Sequence, residues 1–258
     1  MPPSLRLCIL IGIGCLLSGC NLPVNGFFAP SATSIPTLTP TLTATGRPSK
    51  TATSTLIPSL TPTLTITPTW TPSPTLEPAG CLKPPDDYTR LTVNGWVLNR
   101  RTYAMLQHAA ELYGGEIEIT GYAITQGSYH DNGAASFGTH LGGGAVDLSV
   151  FRKGTYTILK SDIPPLLHAL RLAGFAAWYR VADELYPGSA YHIHAIAIGD
   201  KELSQPAQDQ LTGPDGYFRG FSGIPPAAGQ APTPDRFGGP ILCQWMIEMG
   251  YKDLRQLP

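Results

Sequence analysis

The chain reads as an α+β protein, and three observations carry that reading. Composition changes sharply near residue 80, two stretches of helical spacing alternate beyond it with short runs of strand periodicity, and all six histidines lie in that later part. The whole-chain figures describe neither part: 258 residues carry 28 glycines, 26 prolines and only 14% charged side chains, with a net charge of −1. A near-neutral chain lacks the basic stripe that phosphate recognition needs, which argues against nucleic acid as a partner.

Residues 1–19 carry one arginine, an apolar run from Leu7 to Leu17, and small residues before Cys20. This is the pattern of a secretory signal peptide; an uncleaved anchor helix is the other reading. The ending Leu17-Ser18-Gly19-Cys20 resembles the bacterial lipobox, which implies cleavage before Cys20 and lipidation of its thiol. Residues 20–79 form a Thr/Pro-rich tether with too little apolar surface to offset the entropy of ordering. Its low-complexity stretch, residues 29–78, reaches between roughly 40 Å as a coil and about 150 Å when extended, and its composition also suits O-glycosylation. The expected localisation is extracytoplasmic, with lipid anchorage to a membrane.

Residues 80–258 form the folded domain. Arg100 to Tyr113 places Tyr103, Leu106, Ala110 and Tyr113 on one helical face and ends at Gly114-Gly115. Glu116 to Thr120 alternates as a half-buried strand, and residues 125–143 read as a long loop. Ala145 to Val150 is a strand, Ile163 to Ala173 a helix closed by Gly174, and Phe175 to Arg180 and Tyr191 to Ile198 two further strands. The chain past Gly199 is proline-rich and irregular up to a last short helix, Ile241 to Gly250. Cys81 and Cys243 are the cysteines left to the mature domain. In an oxidising compartment they pair as a disulfide; two unrelated buried thiols are the bland alternative.

Two clusters carry the chemistry. Within the strand from Ala145, Asp147 shares a face with Ala145 and Ser149 and follows His140 in the preceding loop. In His192-Ile193-His194 both imidazoles point to one side of their strand. Two adjacent strands can bring His140, Asp147 and one histidine of the pair around a single ion, and two nitrogens with one carboxylate and an open position describe a catalytic zinc site. Hydrogen-bonded core histidines would leave the same spacing. His108 and His168 read as packing or surface residues, and His130 as a cleft or turn residue. Trp96, Trp178 and Trp245 read as core.

His140-x-x-Gly143-x-Ala145-x-Asp147, followed by Leu170 to Trp178 and then by His192-x-His194, resembles the zinc peptidase superfamily that unites D-alanyl-D-alanine peptidases, murein endopeptidases and the hedgehog signalling domain. The likeness spans residues 115–200. It implies a small, mostly antiparallel sheet with helices packed on one face, and one Zn2+ held by His140, Asp147 and His194. His192 then polarises substrate or stabilises the intermediate, and Glu184 serves as general base. The implied activity is hydrolysis of a peptide or amide bond, with cell-wall peptide as a candidate substrate. A non-catalytic zinc-containing binding module of the hedgehog type is the alternative. Three departures stand out. Gly138 occupies the place of a frequent serine, the residues just before His192 carry no carboxylate, and Ala123 follows Gly121-Tyr122 where the carboxypeptidases have an arginine.

Overall fold

The structure is a computed structural model that describes residues 77–131 and 133–255. The expected leader, the expected lipidation site at Cys20 and nearly all of the expected tether lie outside the described residues. The chain divides into the units Met1–Pro68 and Thr69–Pro258, and every described residue belongs to the second. No described helix is long and apolar enough to cross a membrane.

The domain is α+β and begins with a hairpin, β1 (Arg90–Val93) against β2 (Trp96–Asn99). Its two turn residues, Asn94 and Gly95, both take positive φ, the conformation that lets a two-residue turn match strand twist. Asn99 ends β2 and caps α1 (Arg100–Tyr113), accepting 2.8 Å from the Thr102 amide. At the other end Gly114 closes the helix with its amide on the Ala110 carbonyl. Ile117 and Ile119 are buried in alternation as expected, yet no strand forms there. The Gly121 and Ala123 amides both return to the Glu118 carbonyl, and such a turn uses the groups that a sheet ladder needs.

Four strands make the main sheet: β3 (Ile124–Gln126), β4 (Ala145–Ser149), β6 (His192–Ala197) and β5 (Phe175–Arg180), in that spatial order and antiparallel throughout. One face presents Val146, Leu148, Phe175, Ala177, Ile193 and Ala195 to a core completed by α1 and α2 (Ile163–Leu172). The opposite face carries Ala176 and Ile196 at one end, covered by Ala207 and Leu211 of α3 (Gln205–Thr212) and by Tyr217 and Phe218. Packing on one face therefore describes α1 and α2 but not α3, which lies in the stretch the sequence left irregular. Ser204 caps α3 from its side chain, and Pro206 fits the first turn because it needs no amide partner there.

A last helix, α4, is shorter than expected at Gln244–Glu248. Just before it Cys243 is disulfide-bonded to Cys81, with the Cα atoms 5.6 Å apart.

Candidate metal centre

Register decides which side chains meet. Asp147 of β4 pairs with His194 of β6, and His194 with Trp178 of β5. One step along the same face, Ser149 pairs with His192 and His192 with Arg180. This end of the face floors a cleft of about 450 Å³, with Gln210 of α3 among its lining residues.

His140 reaches the cleft from a short 3₁₀ turn, Thr139–Leu141. That turn is held by close backbone packing. The Gly143 amide donates 2.7 Å to the Glu202 carbonyl, the His130 amide donates 2.9 Å to the His140 carbonyl, and Ser204 Oγ donates 3.1 Å to the Thr139 carbonyl. A Cβ on Gly142 would overlap the Glu202 carbonyl and the Ser204 amide, so only glycine lets these backbones meet.

The three ligand-type side chains converge with their donor atoms within 4.8 Å of one another. His194 Nδ1 lies 2.7 Å and His140 Nε2 lies 3.4 Å from Asp147 Oδ1. Each ring's other nitrogen is occupied: His140 Nδ1 donates 2.8 Å to the Gly127 carbonyl, and His194 Nε2 sits 3.1 Å from Gln210 Oε1 of α3. The Gly127 carbonyl fixes the His140 tautomer with its Nε2 lone pair inward, and Gln210 Oε1 gives His194 the same outer support when Nε2 carries the proton and Nδ1 is left for a metal. The group can hold a metal ion.

Electrostatics agree with that use. Burial opposes ionisation of Asp147, but His140 and His194 outweigh it and hold the carboxyl well below the ordinary range. Burial pushes His194 down to about 4, so its ring is neutral at neutral pH. For His140 the burial penalty is overcome by Asp147 and the Gly127 carbonyl, and its pKa rises.

His192 lines the cleft one step from the metal row, with Nδ1 on the Ala190 carbonyl at 2.8 Å. Glu184 is a correction. Its carboxylate accepts 2.7 Å from the Val181 amide and pairs with Arg236 at 3.0 Å and Arg180 at 3.7 Å, and it is not among the residues lining the cleft. Two arginines and an amide draw it away from the position a base would need. His130 is exposed, edge-on to Trp96 with ring centroids 5.4 Å apart. His108 hydrogen-bonds the Gly80 carbonyl and His168 is exposed, as packing and surface residues do. Trp178 and Trp245 are core; Trp96 is half-buried.

Sequence reasoning missed Gln210 and Arg180. Ala207, Gln210 and Leu211 do share a helical face behind the Ser204-x-Pro206 start, so the signal existed. Arg180 shares the parity of Trp178 on β5. The Gly127 carbonyl left no side-chain signal at all. No family model, curated protein or solved structure matches the chain.

Proposed function

We propose that residues 80–258 are a zinc metallopeptidase-like domain, related to the hedgehog and D-alanyl-D-alanine peptidase superfamily, that hydrolyses a peptide or amide bond outside the cytoplasmic membrane. One observation carries this reading. Two imidazoles with outward nitrogens tied off and one half-buried carboxylate aim N, N and O donors at one point on an open cleft. That donor set suits zinc with a position left for substrate or water.

His140 Nε2, Asp147 Oδ1 and His194 Nδ1 would hold the ion, which supplies Lewis acidity and activation of a water. The remaining work falls to the chain's own groups. With Nδ1 given to the Ala190 carbonyl, His192 keeps Nε2 as a lone pair facing the cleft. It is placed to accept a proton and, once charged, to donate to a developing oxyanion. The half-buried Tyr191 and the exposed Tyr186 give the cleft walls suited to peptide. The tether, the anchor and a disulfide-permitting compartment fit an enzyme that works in the cell envelope.

The binding-module alternative draws on one specific observation: Asp147 is the only carboxylate among the described residues lining the cleft. Purified protein incubated with muropeptides and casein separates the two readings. Near-stoichiometric zinc with cleavage that disappears in His140→Ala and His192→Ala supports the peptidase. Zinc without turnover supports the module, and absence of zinc overturns both.

A further inference from the structure

Residues 127–130 lie alongside the segment that carries His140 and meet it at three points. The Gly127 carbonyl accepts from His140 Nδ1, the His130 amide donates 2.9 Å to the His140 carbonyl, and the Tyr129 amide donates 2.9 Å to the Gly142 carbonyl. These four residues are thus the template against which the ring is set, and their own position has to be fixed from elsewhere. Ser128 supplies part of that, with its amide on the Val97 carbonyl and its hydroxyl on the Ala145 carbonyl, both at 2.8 Å. Tyr129 supplies the rest. Its φ is +59°, a left-handed conformation that a bulky side chain keeps only where the surroundings hold it there.

The holding group is the phenol. Its oxygen accepts 3.2 Å from Asn99 Nδ2 and donates to Glu202 Oε2. Asn99 is fully buried, and while its Oδ1 caps α1, its Nδ2 also donates 2.7 Å to Asp200 Oδ2. Asp200 is buried as well and accepts from Thr102 Oγ1 of α1 and from the Glu202 amide. Glu202 joins the two sides, since its carboxylate takes the phenol and its carbonyl takes the Gly143 amide. A Cβ on Gly143 would lie 2.8 Å from the Tyr129 oxygen and 2.9 Å from Asn99 Nδ2, so glycine at that place leaves room for the clamp. Burial and the neighbouring Glu202 push the phenol up to about 12, which keeps it a donor at neutral pH. Arg90 covers the ring face, its guanidinium carbon 3.9 Å from the centroid.

We propose that Tyr129 is a positioning residue of the metal centre: clamped between Asn99 and Glu202, its phenol holds residues 127–130 where the Gly127 carbonyl orients the His140 ring. This rests on reading His140, Asp147 and His194 as metal ligands. His194 draws its support from Gln210 of α3, outside the clamp, so loosening the clamp should disturb one ring far more than the other.

The test is nitrogen-15 NMR of the histidine rings in the full chain, metal-free and zinc-loaded, with zinc affinity from chelator competition. Tyr129→Phe removes the hydroxyl and keeps the ring. It should shift or broaden the His140 Nδ1–H signal, move the His194 ring signals far less, and lower zinc affinity about tenfold. Glu202→Ala should do the same. Glu202→Gln, whose amide oxygen still accepts from the phenol, should restore the unmodified signal and most of the affinity. An unmoved His140 signal in folded Tyr129→Phe overturns the clamp, as does equal movement of both rings, which would mark general loosening of the domain. A moved signal with zinc affinity unchanged overturns the positioning role. Absence of zinc from the unmodified protein overturns the metal reading instead, and the metal-free spectra then still decide the clamp. If Tyr129→Phe fails to fold, the two Glu202 variants decide between the same outcomes.

Discussion

His140 and His194 offer different ring nitrogens to the same point because different acceptors stand behind them, a backbone carbonyl in one case and a glutamine amide in the other. Removing the glutamine tests that support directly. Gln210→Leu should keep the fold and lower zinc affinity about 10- to 100-fold, measured by competition with a chromophoric chelator. Protons compete for the same site. A metal on His140 Nε2 must displace the proton that the raised pKa retains, so affinity should fall about tenfold per pH unit below that pKa. His194, pushed down to about 4, joins the competition only near that pH. In the metal-free protein the His140 shift has the opposite sense. Its contribution to stability is full below the ordinary 6.5 and is lost as pH rises through the raised value. Above pH 6.5, where only His140 changes, zinc titrations and metal-free urea melts should slope in opposite directions; below 6.5 the depressed His194 makes metal-free stability rise with pH. The ligand residues were legible because strand parity puts Asp147 and His194 on a single face; the orientation of each ring was not, since it is set by residues distant in sequence.

The short turn that carries His140 is fixed by backbone contact more than by its own hydrogen bonds, which makes Gly142 a test of the whole segment. Gly142→Ala should force the turn off the 202–204 backbone, costing about 1–3 kcal/mol in urea unfolding and loosening zinc as well. A stability loss with zinc affinity unchanged would separate the turn from the metal site. Helices α1 and α2 and strands β4, β5 and β6 could be read from periodicity, because each buries one face or stripe against the core. The stretch 116–120 shows where that fails. Alternating burial of Ile117 and Ile119 is real, but alternation reports burial and not pairing, and the returns to the Glu118 carbonyl remove the ladder. The β1–β2 hairpin had its signal in Asn94-Gly95 between apolar residues, and α3 had its own in Ser204 and Pro206. Both were outweighed by the turn-forming residues around them.

Across the whole domain, the Cys81–Cys243 bridge spans 162 residues, and on the chain-entropy model a loop of that length contributes up to about 5 kcal/mol. The double variant Cys81→Ser/Cys243→Ser should lose a few kcal/mol in urea unfolding while zinc stoichiometry is unchanged, since the metal row lies on the sheet and makes no use of either sulfur. Loss of zinc as well would mean that the bridge supports the centre itself. The same covalent closure has a consequence for proteolysis. The domain between residues 81 and 243 is a ring, and its exposed stretches, such as 153–157 and 186–188, sit inside it. A single proteolytic cut in either stretch opens the ring without separating its halves. A nicked molecule should run as one band on a non-reducing gel and as two after reduction, and the held fragments would still present His140, Asp147 and His194 together.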